Sequence, residues 1–170
     1  MILLEQEKSV YDVLEKLNIS FKRYEHVAVF TVEETRNLDL TIPGGHTKNL
    51  FLRNRKGDKH FLVIISEDKD VDLKRLSKLI DSTPLSFGSP ERLDKYLKVY
   101  PGAVGAFGLI NDTTNHVQVV LDSDLLDKDT INFHPNVNTA TVNLSVQEFR
   151  RYLNSINNPV SIIKFSSSLI

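Results

Sequence analysis

The segment KNLFLRNRKGDKHFLVII, residues 48–65, determines the architecture that the sequence predicts. Its two apolar parts, Lys48 to Arg53 and His60 to Ile65, have the composition of β-strands. Residues 55–58 between them are polar, include a glycine and are typical of a turn. The segment therefore predicts a β-hairpin, in which Lys48 shares a face with the alternate leucines of its strand.

Helices and further strands are predicted on both sides of this hairpin. Apolar periodicity predicts helices over 5–17 and 72–80, and capping signals predict three more that follow Thr31, Ser89 and Ser145. The other predicted strands cover 21–25, 106–110, 117–121, 131–133, 139–143 and, at an edge, 160–165. Because helices and strands do not alternate regularly, the pattern predicts an α+β domain with a mostly antiparallel or mixed sheet.

Length and composition limit both the domain count and the class of protein. The chain has 170 residues, which indicates a single domain over 1–165 with a frayed tail at 166–170. A net charge of −1 argues against a strongly basic nucleic-acid coat protein, but it allows a protein that contacts only the end of an RNA. The chain has no cysteine, which excludes disulfides and thiolate nucleophiles. Its five histidines lack metal-ligand spacing, so neither a metal nor a cofactor is expected.

The sequence also predicts where the protein resides. No apolar run is long enough to cross a bilayer, and we expect no contact with a membrane. The first residues, MILLEQEK, lack the basic start and the longer apolar stretch of a signal peptide. A cytoplasmic protein is therefore expected.

Lys48 is unusual because it begins an apolar strand. If its face of the strand points inward, the ammonium group lies in or near a cavity, where a charge needs an anionic partner or a lowered pKa. Such a lysine could bind an anion or act as a catalytic amine. The alternative is a lysine at the rim, whose alkyl stem covers the core while its ammonium group reaches water.

Three other polar segments are candidates for a binding site. His26 lies between a predicted strand and a capped helix, at what could be a pocket rim. The small residues 102–105 would let the backbone approach a ligand closely. His134 is held extended by Pro135, and Asn138 and Thr139 could line a polar pocket. Each segment also has a purely structural interpretation, as a capped loop, a tight bend or a hydrogen-bonded turn.

Taken in order, these segments resemble the prolyl-tRNA editing family, the YbaK-like domains associated with prolyl-tRNA synthetase. The likeness is greatest to the freestanding deacylases of that family that act on Ala-tRNA(Pro), and it extends from about residue 11 to residue 152. It is carried by 26–34, 47–52, 89–93, 101–112 and 133–142. The resemblance implies a mixed, largely antiparallel, barrel-like sheet with flanking helices.

The resemblance also implies an activity: hydrolysis of the ester that joins a wrong amino acid to tRNA(Pro). The expected partners are the 3′ CCA end of a mischarged tRNA and prolyl-tRNA synthetase, and no cofactor is implied. Lys48 and His134 take the positions of the catalytic residues. The expected substrate-binding residues are His26, Thr31, Gly102, Ala103, Val104, Gly105, Asn138 and Thr139.

Two departures from the family pattern leave the substrate open. The family loop usually reads Gly-x-x-x-Pro, and here Ala106 replaces the proline; Val27 likewise stands where His-Pro-Ala is usual. Alternative functions are therefore deacylation of another mischarged product, such as Cys-tRNA(Pro) or Ser-tRNA, or non-catalytic binding of aminoacyl-tRNA or amino acid. A modest phosphate-contacting patch, or simply a solvated surface, is expected at Lys22, Arg23, Arg53, Arg55, Lys56 and Lys59. The oligomeric state is left open.

Overall fold

A computed structural model describes residues 3–29 and 31–165. The predicted frayed tail at 166–170 lies outside these residues. Within the described ranges, no helix has both the length and the apolar character that a membrane span requires.

Five α-helices, eight strands and three short 3₁₀ helices make up the described chain. The helices are α1 (Glu5–Lys16), α2 (Val32–Asp39), α3 (Leu73–Leu79), α4 (Pro90–Leu97) and α5 (Val146–Ser155). The strands are β1 (Lys22–Glu25), β2 (Gly45–Arg53), β3 (His60–Ser66), β4 (Ser86–Phe87), β5 (Gln118–Asp122), β6 (Thr130–Phe133), β7 (Ala140–Ser145) and β8 (Val160–Ile163). The 3₁₀ helices are Pro101–Ala103, Ala106–Asn111 and Ser123–Asp127.

All eight strands belong to one mixed sheet. The strand order is β1-β7-β6-β2-β3-β5-β8, and β4 also pairs with β2. Among the described strands, four pairings are antiparallel and three are parallel. The start of β2, Gly45 and His46, pairs with β6, whereas Thr47 to Arg53 pair with β3. The predicted hairpin and the α+β class are both confirmed, and β2 joins the two halves of the sheet.

The capping signals in the sequence mark real helix starts. The side-chain oxygens of Thr31, Ser89 and Ser145 each accept a hydrogen bond from the backbone N–H three residues further on, at 3.0, 3.2 and 3.0 Å. These are the N-caps of α2, α4 and α5. Each such cap contributes about 1 kcal/mol, because it satisfies a backbone donor that the helix leaves free.

The core lies on both faces of β3, the most buried strand of the sheet. Leu62 and Ile64 face the larger cluster, where α1, α4, α5 and the 3₁₀ helix 106–111 pack. Phe61, Val63 and Ile65 face the smaller cluster, where α3 packs through Leu76. A continuous apolar strand between two packed layers explains why residues 61–65 show no alternation.

One predicted strand is wrong. Residues 106–110 do not join the sheet but form the 3₁₀ helix Ala106–Asn111. Its backbone bonds are local, with Gly108 N donating to the Gly105 carbonyl at 3.1 Å, and the Tyr152 hydroxyl donates to the Ala106 carbonyl at 2.7 Å. A short, fully buried apolar run carries no periodicity that separates strand from helix, and this explains the error. The two-residue strand β4 was not predicted.

Lys69 forms the most buried ion pair among the described residues. Its ammonium group donates to Asp122 at 3.0 Å, to Asp124 at 2.7 Å and to the Phe165 carbonyl at 2.8 Å. The side chains of Lys69 and Asp122 are 9% and 0% exposed. An ammonium group has three donors, so the charge is fully satisfied despite its burial. The contact fixes the end of β5 to the residues that follow β8.

His60 is buried in a second polar cluster. Because Arg92 can only donate, Nε2 of His60 accepts from it at 3.1 Å, and Nδ1–H of His60 donates to Nε2 of His116 at 2.9 Å. The ring also lies against Phe51 and Tyr96. Burial is the main cause that lowers the pKa of His60 from 6.5 to about 4, and electrostatic interactions with His116 and Arg92 act in the same direction.

We expect this histidine to make the fold acid-sensitive. Between about pH 6.5 and about 4 the unfolded chain holds a proton on His60 that the folded chain does not. The free energy of unfolding therefore falls as the pH is lowered through this range, by at most about 1.4 kcal/mol per pH unit from this one group. Urea unfolding of the wild type and of His60→Phe at several pH values measures it. The stability advantage of the wild type should shrink toward acid pH, and a pH-independent difference would contradict the assignment.

Candidate active site

Three adjoining cavities lie around α2, the start of β2 and the residues after β3. The Lys48 cavity, about 560 Å³, is lined by Val29, Thr31, Thr35, Arg36, Thr47, Lys48, Glu67 and Asp70. The His134 cavity shares Val29, Thr35, Thr47 and Glu67 with it and adds Asp39, His46, Asn132, His134 and Thr141 among others. The outer cavity, also about 560 Å³, lies beside Arg36, Asp39, Gly45, His46, Glu67 and Lys128. Lys48 and His134 therefore lie on two cavities that have a common wall.

The register of β2 puts Lys48 at the boundary between core and cavity. Lys48 pairs with Ile65 of β3 and shares its strand face with Leu50 and Leu52, which pack in the smaller cluster. The core ends at this position, and the Lys48 side chain is 33% exposed, with Nζ 3.8 Å from Asp70. Asp70 is itself fully exposed, so this ion pair contributes little. The stem covers the core and the ammonium group remains available in the cavity.

A hydrogen-bond network fixes the start of β2. Thr47 donates its hydroxyl to the Asn132 carbonyl at 2.8 Å. The Asn132 and Asn143 amides both donate to the Pro43 carbonyl at 3.0 Å, and Asn143 also donates to Oδ1 of Asn132 at 2.9 Å. Gly44 has a positive φ of 100°, and a Cβ there would collide with Thr130. The network and the glycine turn together position the strand that carries Lys48.

His134 is held in one tautomer. Its Nδ1–H donates to the Ala140 carbonyl at 3.0 Å, which leaves Nε2 as the unprotonated nitrogen. Burial lowers the pKa of His134 below its usual value, and His26 contributes in the same direction, although the bond to Ala140 opposes the shift. His134 is therefore neutral near pH 7 and offers an acceptor rather than a charge.

Two of the predicted binding residues lie beside these cavities. Thr31 lines the Lys48 cavity, with its Oγ1 used as the cap of α2. His26 lies behind the His134 cavity: Nδ1–H donates to the Val27 carbonyl, and Nε2 accepts from the hydroxyl of Thr141 at 2.9 Å. The rings of His26 and His134 are 6.2 Å apart.

Two of the other predicted binding residues, Gly102 and Gly105, lie against the segment that carries His134. A Cβ on Gly105 would lie 3.4 Å from the His134 carbonyl oxygen, and one on Gly102 would lie 3.2 Å from the Asn138 amide. Asn138 accepts from the Tyr100 hydroxyl at 2.9 Å, and its N–H donates to the same oxygen at 2.8 Å. The lining of the three cavities does not include Gly102, Ala103, Val104, Gly105, Asn138 or Thr139.

The sequence interpretation missed a cluster of acidic and imidazole groups in the common wall. Asp39, His46 and Glu67 each bring a ligand atom within 4.8 Å of the others, a set that could hold a cation. Burial, and then the hydrogen bond and charge of Asp39, raise the pKa of Glu67 from 4.5 to about 7. The pairing of the hairpin could have indicated two members of this cluster. Thr47 pairs with Ser66, which places Glu67 beside His46.

The arrangement suits a reaction that develops negative charge on oxygen. An ammonium group and a neutral imidazole acceptor lie on two adjoining cavities, and a carboxyl group of raised pKa lies in the wall between them. A cation beside a carbonyl stabilises the oxyanion of a tetrahedral intermediate, and a perturbed carboxyl group is typical of functional sites.

Both a family model and a solved structure match this chain. The family model described as the aminoacyl-tRNA editing domain matches residues 26–152. A solved structure named as a candidate trans-editing enzyme for prolyl tRNA synthetase superposes with a TM-score of 0.73, covering 97% of this chain and 100% of that chain. At 20% identity it shows the fold alone.

Relatives of known sequence extend the likeness over nearly the whole chain. The prolyl-tRNA editing protein ProX of Acetoanaerobium sticklandii is 40% identical over 161 residues, which is 95% of this chain and 98% of that protein. The prolyl-tRNA synthetase associated domain-containing protein 1 of Xenopus laevis is 35% identical over 166 residues, covering 95% of this chain and 97% of that protein. With a family model matched over most of its length and relatives at this identity, the chain belongs to the aminoacyl-tRNA editing domain family, among its prolyl-tRNA editing proteins.

Proposed function

We propose that the protein is a trans-acting deacylase that hydrolyses mischarged Ala-tRNA(Pro). The observation that carries the proposal is the position of Lys48 on a cavity that shares a wall with the cavity of His134. The names of its relatives, which concern prolyl-tRNA editing, support it. The reaction adds water across the ester, releasing free alanine and a tRNA with a free terminal hydroxyl. Such an enzyme works where tRNA is charged, in the cytoplasm.

Lys48 and His134 have different roles in the proposed reaction. The ammonium group of Lys48 stabilises the oxyanion of the tetrahedral intermediate or the neighbouring phosphate. The unprotonated Nε2 of His134 accepts a hydrogen bond and holds the attacking water or the terminal ribose. Because the pKa of His134 is lowered, its neutral form persists at mildly acid pH.

The tRNA is held at its 3′ end rather than along its body. Of the basic residues that could contact phosphate, Arg23 is paired with Glu7 at 2.8 Å and Lys56 with Asp58 at 3.7 Å. The protein therefore presents only a modest cationic surface, consistent with its net charge of −1. Prolyl-tRNA synthetase, which produces the mischarged tRNA, is the proposed protein partner.

The alternative functions were suggested by Ala106, the residue that replaces the family proline. A looser loop would favour another mischarged substrate or a binding module without turnover. Ala106 is buried, and its carbonyl is held by Tyr152 at 2.7 Å, at the start of a 3₁₀ helix. Contacts that fix the loop without proline favour the catalytic alternative, and we retain deacylation of Cys-tRNA(Pro) or Ser-tRNA as the second candidate.

Replacing Lys48 should remove most of the activity. We expect Lys48→Ala to lower kcat/KM for Ala-tRNA(Pro) by about 100-fold or more, the usual cost of losing one oxyanion-stabilising group. Single-turnover deacylation of Ala-, Cys- and Pro-tRNA(Pro) measures both the activity and the choice of substrate. Lys78→Ala, on the exposed face of α3, is the control for loss of a surface charge. Full activity in Lys48→Ala would refute the site, and no hydrolysis by the wild type would refute the function.

Replacing His134 should alter the pH profile as well as the rate. We expect His134→Gln to lose about 10-fold or more in kcat/KM, because the amide cannot reproduce the fixed imidazole acceptor. The wild-type rate should fall only at a pH below the ordinary histidine range, where His134 takes up a proton, and His134→Gln should lack this decline. If the rate of His134→Gln fell at acid pH in the same way as that of the wild type, the titrating group would be one other than His134.

A further inference from the structure

Glu67 occupies a position that the roles of Lys48 and His134 leave unexplained. It follows β3 directly, and its N–H donates to the His46 carbonyl at 3.0 Å, which extends the pairing of the hairpin. Its side chain lines the Lys48 cavity, the His134 cavity and the outer cavity. Asp39, the last residue of α2, lines the His134 cavity and the outer cavity. Two carboxyl groups therefore meet where the cavities join.

This pair has more acceptor capacity than its surroundings satisfy. Oδ1 of Asp39 lies 3.2 Å from Nδ1 of His46, while Oδ2 is buried and receives no hydrogen bond from the described part of the chain. Nε2 of His46 is committed to the Ile42 carbonyl at 2.9 Å. Glu67 can donate to Asp39 only while its carboxyl group holds a proton, and that bond is one cause of its raised pKa. Such a site favours a ligand that brings positive charge and several N–H donors.

The substrate of the proposed reaction carries such a group. In an aminoacyl ester the α-ammonium nitrogen is two bonds from the reacting carbonyl carbon. A carbonyl held between Lys48 and His134 therefore places this nitrogen near the wall that their cavities share, where Glu67 lies. We propose that Glu67 and Asp39 bind the primary α-ammonium group of the aminoacyl ester and make the site selective for a free amino acid. This inference rests on the proposed deacylase function.

Basic neighbours hold Glu67 toward its ionised form, which is the form that binds an ammonium group. Arg36 and His46 favour the ionised form of Glu67, and Lys48 lies on the same cavity. A bound ammonium group replaces the proton that Glu67 would otherwise share with Asp39. Its N–H groups also supply the buried Oδ2 of Asp39 with the donor it lacks.

The decisive experiment compares two esters of the same tRNA. Ala-tRNA(Pro) is treated with nitrous acid, which replaces the ammonium group by a hydroxyl and leaves the methyl side chain and the ester intact. An α-ammonium group itself activates the ester, so each enzymatic rate is divided by the spontaneous hydrolysis rate of the same ester. After this correction we expect the wild type to favour the alanyl ester about 10- to 100-fold, the range for a hydrogen-bonded charge. Glu67→Gln should lose that factor on the alanyl ester and change less than about threefold on the lactyl ester.

Controls separate this role from a structural one. Asp94→Asn removes an exposed carboxylate from α4, which lines none of the three cavities, and should leave both rates unchanged. Hydrolysis of the lactyl ester shows that Glu67→Gln is folded, and if that variant fails to fold, Asp39→Asn should give the same selective loss. Equal losses on both esters in both variants would overturn the proposal.

Three further outcomes are distinguishable. If the wild type hydrolyses neither ester, the deacylase function fails and the inference fails with it. If it hydrolyses both equally well, the function stands and the ammonium site is refuted. If a chelator abolishes hydrolysis of both esters and zinc restores it, Asp39, His46 and Glu67 bind a metal ion, and the ammonium assignment is overturned.

Discussion

The position of β2 is the constraint on which the rest of the structure depends. It is the one strand of the described sheet that pairs with three others, β3, β4 and β6, so it holds the two halves of the sheet together. A shift of its register by one residue would exchange its faces and move Lys48 away from the Lys48 cavity. The amide network of Asn132 and Asn143 on Pro43 opposes such a shift, because it would leave buried donors unpaired. The same contacts therefore set both the fold and the site.

Two groups of charged residues in this protein differ in how completely their hydrogen bonds are satisfied. Lys69 has three acceptors for its three donors and serves the fold. In contrast, Oδ2 of Asp39 is buried and has no donor among the described residues while Glu67 is ionised, and burial together with Asp39 raises the pKa of Glu67. Incomplete polar satisfaction costs stability, and proteins retain it mainly where a ligand can complete the set. This contrast distinguishes a structural ion pair from a binding site.

Local chemistry explains what the sequence could predict. The caps at Thr31, Ser89 and Ser145 and the hairpin of residues 48–65 depend on neighbours in the chain, and all of them are present. The strand predicted at 106–110 was wrong because burial on all sides removes the periodicity that separates the two structures. In the site, Lys48 could be singled out because a charge in an apolar strand is visible in the sequence. Glu67 could not, because its raised pKa arises from burial and then from Asp39, and both exist only in the folded chain: Asp39 is 28 positions away in sequence.

A carboxyl pair of this kind would also bear on how an editing site spares the correct product. Proline is larger than alanine by a ring, but a pocket that discriminates by one or two methylene groups gains only about 1–3 kcal/mol. The α-nitrogen of an alanyl ester is a primary ammonium with three N–H donors, whereas that of a prolyl ester is a ring nitrogen with two. A site built around buried acceptors penalises a ligand that leaves one of them unpaired more strongly than size alone does. Glu67 and Asp39 would therefore add a chemical criterion to a steric one, and Ala-tRNA(Pro) would be selected by both.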